Sequence, residues 1–525
     1  MKNNKLLIFA FALIGLFYSC DDAIDIKQPG EINNPDDVYN TVKDLDRGLN
    51  GVYATMSPDS SIEFTSIFTD ETALGVNNGG QGINDGLYTF QLNAGTPAAE
   101  SIWGANYSLI NFANRILAAS ERIRATIEAI EDHESDEYIN QIADINKVVG
   151  QLYAIRAYAH FQLLTYFSTD LKDDSALGVM ILKTVPDENY DTFIPRSTNG
   201  EVFAFIEEDL ATALTMMDPT SSPSKVSPRF VTALRARMAA YRGRYADVIT
   251  YTSSFISTSG AGIYPLAATP QEYFAIWQDN QELSDREVIF EVKRVFGDFG
   301  IGAYWNTQSS TRNGSPFFEV GRALYNLYDA NDIRGGISII DPTSVVAPNF
   351  ATVADYKFRD ILVVNKYPGN ANESDPLLND IKVFRVSEMY LLRAEAFVAL
   401  GNITGGASSA ANVLRILQAK RHGATTPAAV NAYPLPFNAS TTPQQAYAAI
   451  LNERRIELAF EGFRYIDIKR LGVLAGGLGI DRYTRDCALY NSCTLSPTDH
   501  RFTMPIPTSE LIANPAISGQ QNPGY

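Results

Sequence analysis

Cysteine and histidine are scarce in this 525-residue chain, which has three of the first and four of the second (His133, His160, His422 and His500). The histidines are scattered and no HExxH occurs, so a zinc site has little to be built from, and neither metal nor cofactor is expected. Nucleophile elbow and P-loop are missing as well. Positive charge is in deficit: 42 Lys and Arg stand against 60 Asp and Glu, a net charge of −18. Such a field repels phosphate backbones, which excludes nucleic acid as an expected partner, and it argues more weakly against strongly anionic ligands such as uronic-acid polymers. With 45% hydrophobic and 19% charged residues, the chain has apolar material for a large core, which rules out a disordered or fibrous protein.

Long apolar runs are absent except at the start. Lys2 and Lys5 precede the run Leu6 to Phe17. Its twelve residues cover about 18 Å at helical rise, short of the ~30 Å of a bilayer core, so it reads as a signal h-region. Ser19 and Cys20 close the run in the manner of a bacterial lipobox, with residues 1–19 removed and Cys20 becoming the lipidated first residue. Removal of Lys2 and Lys5 makes the mature chain more negative by two. The lipid would be its only anchor. Residues 20–30 carry Asp21, Asp22, Asp25 and Pro29, an acidic tether resembling the surface-export signal of Bacteroidetes lipoproteins. The other two cysteines, Cys487 and Cys493, lie six positions apart in a loop-like stretch, and in an exported chain they read as a small structural disulfide.

The body of the chain, residues 31–525, reads mainly as helix. Asn34-Pro35-Asp36-Asp37 predicts a capped helix start, followed by Val38, Val42, Leu45, Leu49, Val52 and Tyr53 on one face. Thr442-Pro443-Gln444-Gln445 is a capping box opening a helix that runs toward Arg470. Three alanine-spaced segments, 155–161, 234–241 and 392–397, set small residues one turn from bulky ones. The last two lead into Gly243 and Gly401. This is the grammar of tetratricopeptide-like helix pairs, although no 34-residue period runs through it and generic Ala-rich helices fit the same spacing. Between helices lie long polar stretches, 69–88 and 297–314, of the kind that usually carries function.

The segment Glu453-Arg454-Arg455-Ile456-Glu457-Leu458-Ala459-Phe460-Glu461-Gly462-Phe463-Arg464-Tyr465-Ile466-Asp467 resembles the signature helix of the SusD/RagB family of outer-membrane nutrient-binding lipoproteins. Met504-Pro505-Ile506-Pro507 through Gly524-Tyr525, Ser387 to Ala396, and Trp103 with Asn111 to Leu117 resemble further blocks of that family. The resemblance implies a mainly α, SusD-like fold with loop-rich insertions, an N-terminal part over 31–225 and a C-terminal part over 226–525. It also implies a surface lipoprotein of the outer membrane that captures oligosaccharides, or in some members peptides, and hands them to a SusC-like TonB-dependent transporter without breaking a bond. In the signature helix, spacing alone predicts local pairs Arg454 with Glu457, Glu461 with Arg464, and Arg464 with Asp467. Arginines so close would lower a carboxylate pKa, the wrong direction for a general acid, so a glycosidase reading of Glu457 and Glu461 is disfavoured. A surface hydrolase and a pure helical-repeat scaffold are the remaining alternatives.

A sugar site needs flat aromatics ringed by polar side chains. One ring face covering about 100 Å² contributes ~2.5 kcal/mol, while a millimolar complex needs ~4 kcal/mol, so at least two platforms must cooperate. Trp305 and Tyr304, adjacent in a Gly/Ser/Asn loop, are the first candidates, with Arg312 beside them. Trp103 with Asn106 comes second, because the equivalent region contributes glycan contacts in starch-binding members of the family; a core anchor is an equal reading of Trp103. Asn77, Asn78 and Asp85 are candidate hydroxyl partners. Trp277 sits in a dense apolar run and reads as core.

Overall fold

The computed structural model describes residues 38–75, 78, 85–129, 132–185, 193–219, 222–256, 264–279, 287–306, 316–369 and 377–525. Cys20 and the Asn34 to Asp37 cap lie outside them. The chain is mostly helical, and among the described residues there are three two-stranded antiparallel ladders: β1 (Thr72–Leu74) with β3 (Phe318–Val320), β2 (Val288–Val292) with β4 (Ile381–Arg385), and β5 (Ile480–Asp481) with β6 (Thr494–Leu495). No described helix is long and apolar enough to cross a membrane.

Two 32-residue helices, Pro97–Glu128 and Asp136–Phe167, pack with Asn199–Met216 to form the N-terminal layer. Ala154, Ala157 and Ala159 are fully buried, so the small residues are where neighbouring helices close in. Arg156, from the same helix, is buried among them. Its guanidinium donates to both Asp209 oxygens at 2.8 and 2.7 Å and to Asn114 Oδ1 at 2.7 Å. The Asn111 to Leu117 block thus supplies a structural acceptor. Further along, Pro228–Tyr241 turns at Gly243 (φ +70°) into Tyr245–Thr252, and Val386–Ala399 turns at Gly401 (φ +79°) toward Ala410–Arg421. Both turns use the left-handed region that only glycine enters without strain.

Local signals and tertiary structure part company at two places. The first described helix begins at Val42, with Thr41 and Asp44 forming the capping box, and Val38 precedes it at 37% exposure. Leu45, Leu49 and Val52 still form its buried face. The Thr442–Gln445 capping box is formed, but its helix ends at Glu457 instead of running to Arg470. Phe460 (φ +63°) and Gly462 (φ +84°) turn the chain into a second helix, Arg464–Leu471.

Around that break the signature charges meet distant partners in place of the local pairs. Glu457 accepts from Arg421 at 2.8 Å, Arg385 at 2.9 Å and Arg334 at 3.0 Å. Glu461 meets Arg385 at 2.7 Å and Lys366 at 2.9 Å. Arg454 pairs with Asp467 across the break at 2.8 Å, and Arg464 reaches Asp70 at 2.8 Å. All these groups are buried. Strand β4, three helices and their connecting loops therefore converge on charges that cannot be left alone in the interior.

Candidate functional site

The two polar stretches of the sequence leave the scaffold from adjoining points. Leu74 at the end of β1 is opposite Phe318 at the start of β3, and the Gly75 amide donates to the Phe317 carbonyl at 2.8 Å. A Cβ on Gly75 would collide with the Pro316 carbonyl, so glycine permits this close approach. The chain enters 76–84 from one side of the crossing and leaves 307–315 on the other. Asn77 and Arg312 lie within these stretches, outside the described residues. Asn78 is described and is buried, with its backbone N–H donating to the Gly75 carbonyl at 3.1 Å, so it does not present itself as a surface hydroxyl partner. Asp85 opens the short Asp85–Tyr88 helix, and its side-chain setting lies outside the described residues.

Trp305 is not a ligand platform here. It is 1% exposed, stacked on Tyr367 (centroids 5.6 Å apart, planes 6° apart) and edged by Phe460, and its indole N–H donates to Ser66 Oγ at 3.2 Å. The amides of Phe317 and Phe318 donate to its carbonyl at 2.9 and 3.2 Å, which draws the residue in over β3. Tyr304, one residue earlier, ends the 3₁₀ turn Ile301–Tyr304 and is half-buried. Its ring packs 4.9 Å from Phe299, inclined at 49°. Phe299 is 52% exposed and Phe296 72%. Burial pushes the Tyr304 phenol well above its ordinary pKa, and the charges of Asp59 and Glu63 add to that against Arg294, so its hydroxyl remains protonated. Arg294 itself is tied to Ser57 at 3.2 Å and Asp59 at 3.1 Å.

Phe296 and Phe299 are missing from the sequence-level candidates. Their signal was present in Val295-Phe296-Gly297-Asp298-Phe299: aromatics flanking a Gly-Asp pair a few residues after strand β2. Gly297 sits at φ +102°, and Asp298 Oδ2 accepts the Val295 amide at 2.8 Å, a tight turn that pushes its flanking side chains outward.

Trp103 takes its core reading. It is 3% exposed, lies 4.8 Å from both Tyr107 and Phe167, and donates its indole N–H to Glu510 at 3.1 Å. Asn106 spends an amide hydrogen on the Ile102 carbonyl at 2.8 Å. It lines a cleft of about 20 Å³ with Ser57 and Gln162, room for a water but not for a sugar ring. Trp277 is buried under Lys366, 4.2 Å from its ring.

Glu457 is not set as a general acid. Burial by itself would raise the Glu457 carboxyl, but Arg421, Arg385 and Arg334 overcome it and hold the group well below the ordinary range. Among the described residues, Asp279, Glu291 and Asp380 have metal-like spacing. The Lys382 ammonium contacts Asp279 and reaches Glu291 at 3.1 Å, so a cation already occupies the cluster. Cys487 and Cys493 are bonded. The hairpin they close pins the surrounding loops, with the Tyr88 hydroxyl on the Asp486 carbonyl and the Arg322 amide on its carboxylate.

Comparison with known proteins gives a consistent picture. Residues 341–525 match the SusD family model, and residues 24–241 match the model described as starch-binding associating with outer membrane. SusD-like protein P2 of Formosa agariphila is 24% identical over the full length of both chains, and SusD-like protein P38 of the same organism is 22% identical over 72% of this chain and 74% of its own. Among solved structures, a putative sugar-binding protein from Bacteroides vulgatus superposes with a TM-score of 0.67 at 24% identity, covering 93% of this chain and 99% of that one. A laminarin-binding SusD-like protein superposes with a TM-score of 0.64 at 20% identity, over 93% and 100%. The structural likenesses establish the fold.

Proposed function

The chain belongs to the SusD/RagB family, and from that premise we propose that it captures neutral oligosaccharides on the surface formed by Phe296, Phe299 and Tyr304. The observation that carries this reading is the exposed aromatic turn directly before the crossing from which 76–84 and 307–315 leave. Phe299 and Tyr304 supply the two cooperating apolar faces that even weak sugar binding requires. Asn77 and Arg312 are assigned as hydroxyl partners from the flanking stretches, together with Asp85. The net charge of −18 disfavours anionic chains.

In this reading the protein binds without turnover. Lipid on Cys20 tethers it at the outer face of the outer membrane, and a SusC-like TonB-dependent transporter receives the ligand. The laminarin-binding relative makes a β-1,3-glucan the first ligand to try. The test is calorimetric titration of laminarin, then of a wider polysaccharide and peptide panel, into the protein lacking residues 1–20. Phe299→Ala and Tyr304→Ala should each weaken glycan binding tenfold or more, and the sugar should be recovered uncleaved. Unchanged affinity in both variants removes the assigned surface, and release of shorter sugars removes the non-catalytic reading.

A further inference from the structure

A cleft of about 620 Å³ opens around Tyr325, Tyr328 and the segment that follows them, and it shares no lining residue with the Phe299 surface. That volume falls within the range of small-ligand sites, while the clefts beside Asn106 and Glu461 hold about 20 and 40 Å³. Tyr325 ends the short helix Arg322–Tyr325 and Tyr328 follows three residues on, its backbone amide donating to the Tyr325 carbonyl at 3.2 Å; both are partly exposed. Tyr328 is fixed by its hydroxyl, which donates to the Ile456 carbonyl at 2.9 Å, and Arg322 lies 4.8 Å from the Tyr325 ring centre. A Cβ on Gly335 would fall 2.9 Å from Tyr328 Cβ, so glycine lets the opposite wall come up to the ring.

The polar lining is acidic, and none of its lining residues is Lys or Arg. Its carboxylates nevertheless carry partners of their own. Asp332 is paired with Arg334 at 2.6 Å, Asp329 with His422 at 2.8 Å, and Asp341 accepts the Thr343 amide at 2.8 Å. Partnered carboxylates keep spare lone pairs that accept hydroxyl hydrogens, yet they exert less pull on a cation than bare ones do. An anionic ligand would meet three like charges. Two phenol rings, hydroxyl acceptors and no cation are the complement of an uncharged polyhydroxylated ring.

We propose that this cleft is a second sugar-binding site, specific for the neutral hexose units of an oligosaccharide and closed to uronic acids and sulfated sugars. It would let one captured chain be held at two places, multiplying weak affinities. Gly336 offers a direct test: it lines the cleft without a left-handed φ, and a Cβ there would meet nothing within 4 Å, so Gly336→Phe adds bulk at the cleft starting from open space.

Calorimetric titration should use α-1,4-, β-1,3- and β-1,4-linked glucose hexamers, hexagalacturonate and hexalysine. The protein forms to compare are the wild type, Gly336→Phe, Tyr325→Ala and Phe299→Ala. We expect at least one neutral hexamer to bind, and Gly336→Phe and Tyr325→Ala each to weaken it tenfold or remove one of two binding events. Hexagalacturonate should not bind. Neutral-hexamer binding that is reduced in Phe299→Ala but unchanged in both cleft variants overturns the second site and leaves the Phe299 surface standing. No neutral hexamer binding to wild type overturns both. Hexalysine binding that Gly336→Phe abolishes, with no cleft-dependent sugar binding, would reassign the cleft to basic peptides. If Gly336→Phe does not fold, Tyr325→Ala decides alone.

Discussion

The interior around Glu457 and the turn around Phe299 are both rich in side chains that a functional site would use, yet the fold gives them opposite employment. Around Glu457, carboxylates, guanidiniums and the Trp277 and Tyr273 rings are fully enclosed, each meeting another. On the turn, Phe296 and Phe299 are left open to solvent. The contrast sharpens within six residues: Phe299 is outside, while Trp305 is stacked in the core. Residue type sets what chemistry is possible. Burial and partnership decide whether it is offered to a ligand or consumed by the scaffold.

The largest expected effect comes from breaking the enclosed side. Glu457→Gln leaves Arg334, Arg385 and Arg421 sharing fewer carboxylates in the interior, and removing one partner from a buried ion network typically costs ~3–5 kcal/mol. Chemical denaturation of the variant should show a loss of that order, or the protein should fail to accumulate as a soluble species. Glycan affinity of any folded fraction should match wild type. A variant of unchanged stability would mean that the network is not the clamp it is described as.

Trp305→Ala and Phe299→Ala then divide the two aromatics. The first empties a stacked core position and should cost ~3–5 kcal/mol of stability. The second removes a half-exposed ring and should stay within ~0.5 kcal/mol, while lowering glycan affinity tenfold or more. Thermal melts and titrations on both variants check the split; equal behaviour in either assay contradicts it.

The helical architecture was legible in the sequence because its signals are local. The Thr442 capping box, the alanine-spaced helices and the glycines at the two turns act within a few residues. Where the outcome depends on the far side of the molecule, the local reading fails. Spacing of three residues was compatible with Arg464 meeting Asp467, and both lie on the second helix, but Arg464 turns to Asp70, far away in sequence, and Asp467 pairs with Arg454 across the break. Trp305 fails likewise: adjacent polar residues indicate a loop, and nothing near it in sequence announces Tyr367 and Phe460. The proposed ligand surface draws on the two polar stretches and Tyr304, which the sequence singled out. The sequence did not single out Phe296 and Phe299, because a phenylalanine near a glycine carries no local sign of whether the fold will bury it.

A smaller effect is expected from Asp486, at the edge of the enclosed side. Burial and the neighbouring Asp360 push its carboxyl up to about 7, against the pull of the Arg322 amide and charge. A carboxyl raised in the folded state contributes stability that is fully present below its unfolded pKa and fades as pH climbs through the folded one. The wild-type protein should therefore lose stability between pH 4 and 8, and Asp486→Asn, which keeps an oxygen for the Arg322 amide, should lose less. A relative gain on the order of 1 kcal/mol at pH 8 is expected after softening by local relaxation. Parallel slopes for the two proteins across melts at pH 4, 6 and 8 would remove Asp486 from the pH dependence.

The smallest effect lies at the edge of the enclosed interior, at the residue after Arg421. His422 shares a hydrogen bond of 2.8 Å with Asp329 at the rim of the Tyr325 cleft. Burial pulls its pKa down, but the Asp329 bond and the Gln418 carbonyl more than offset this, leaving it raised above 6.5. A histidine raised in this way stabilises the fold below its ordinary pKa and loses that contribution as pH rises through the higher folded value. Since Asp329 is largely exposed, the pair is worth at most a few tenths of a kcal/mol, too little for a melt to resolve. An imidazole NMR titration resolves it directly, because the chain has four histidines. In wild type the His422 midpoint should lie above 6.5. In Asp329→Asn, with burial no longer outweighed by the carboxylate, it should fall markedly. A midpoint that does not move would show that the rim pair is geometric contact without electrostatic consequence.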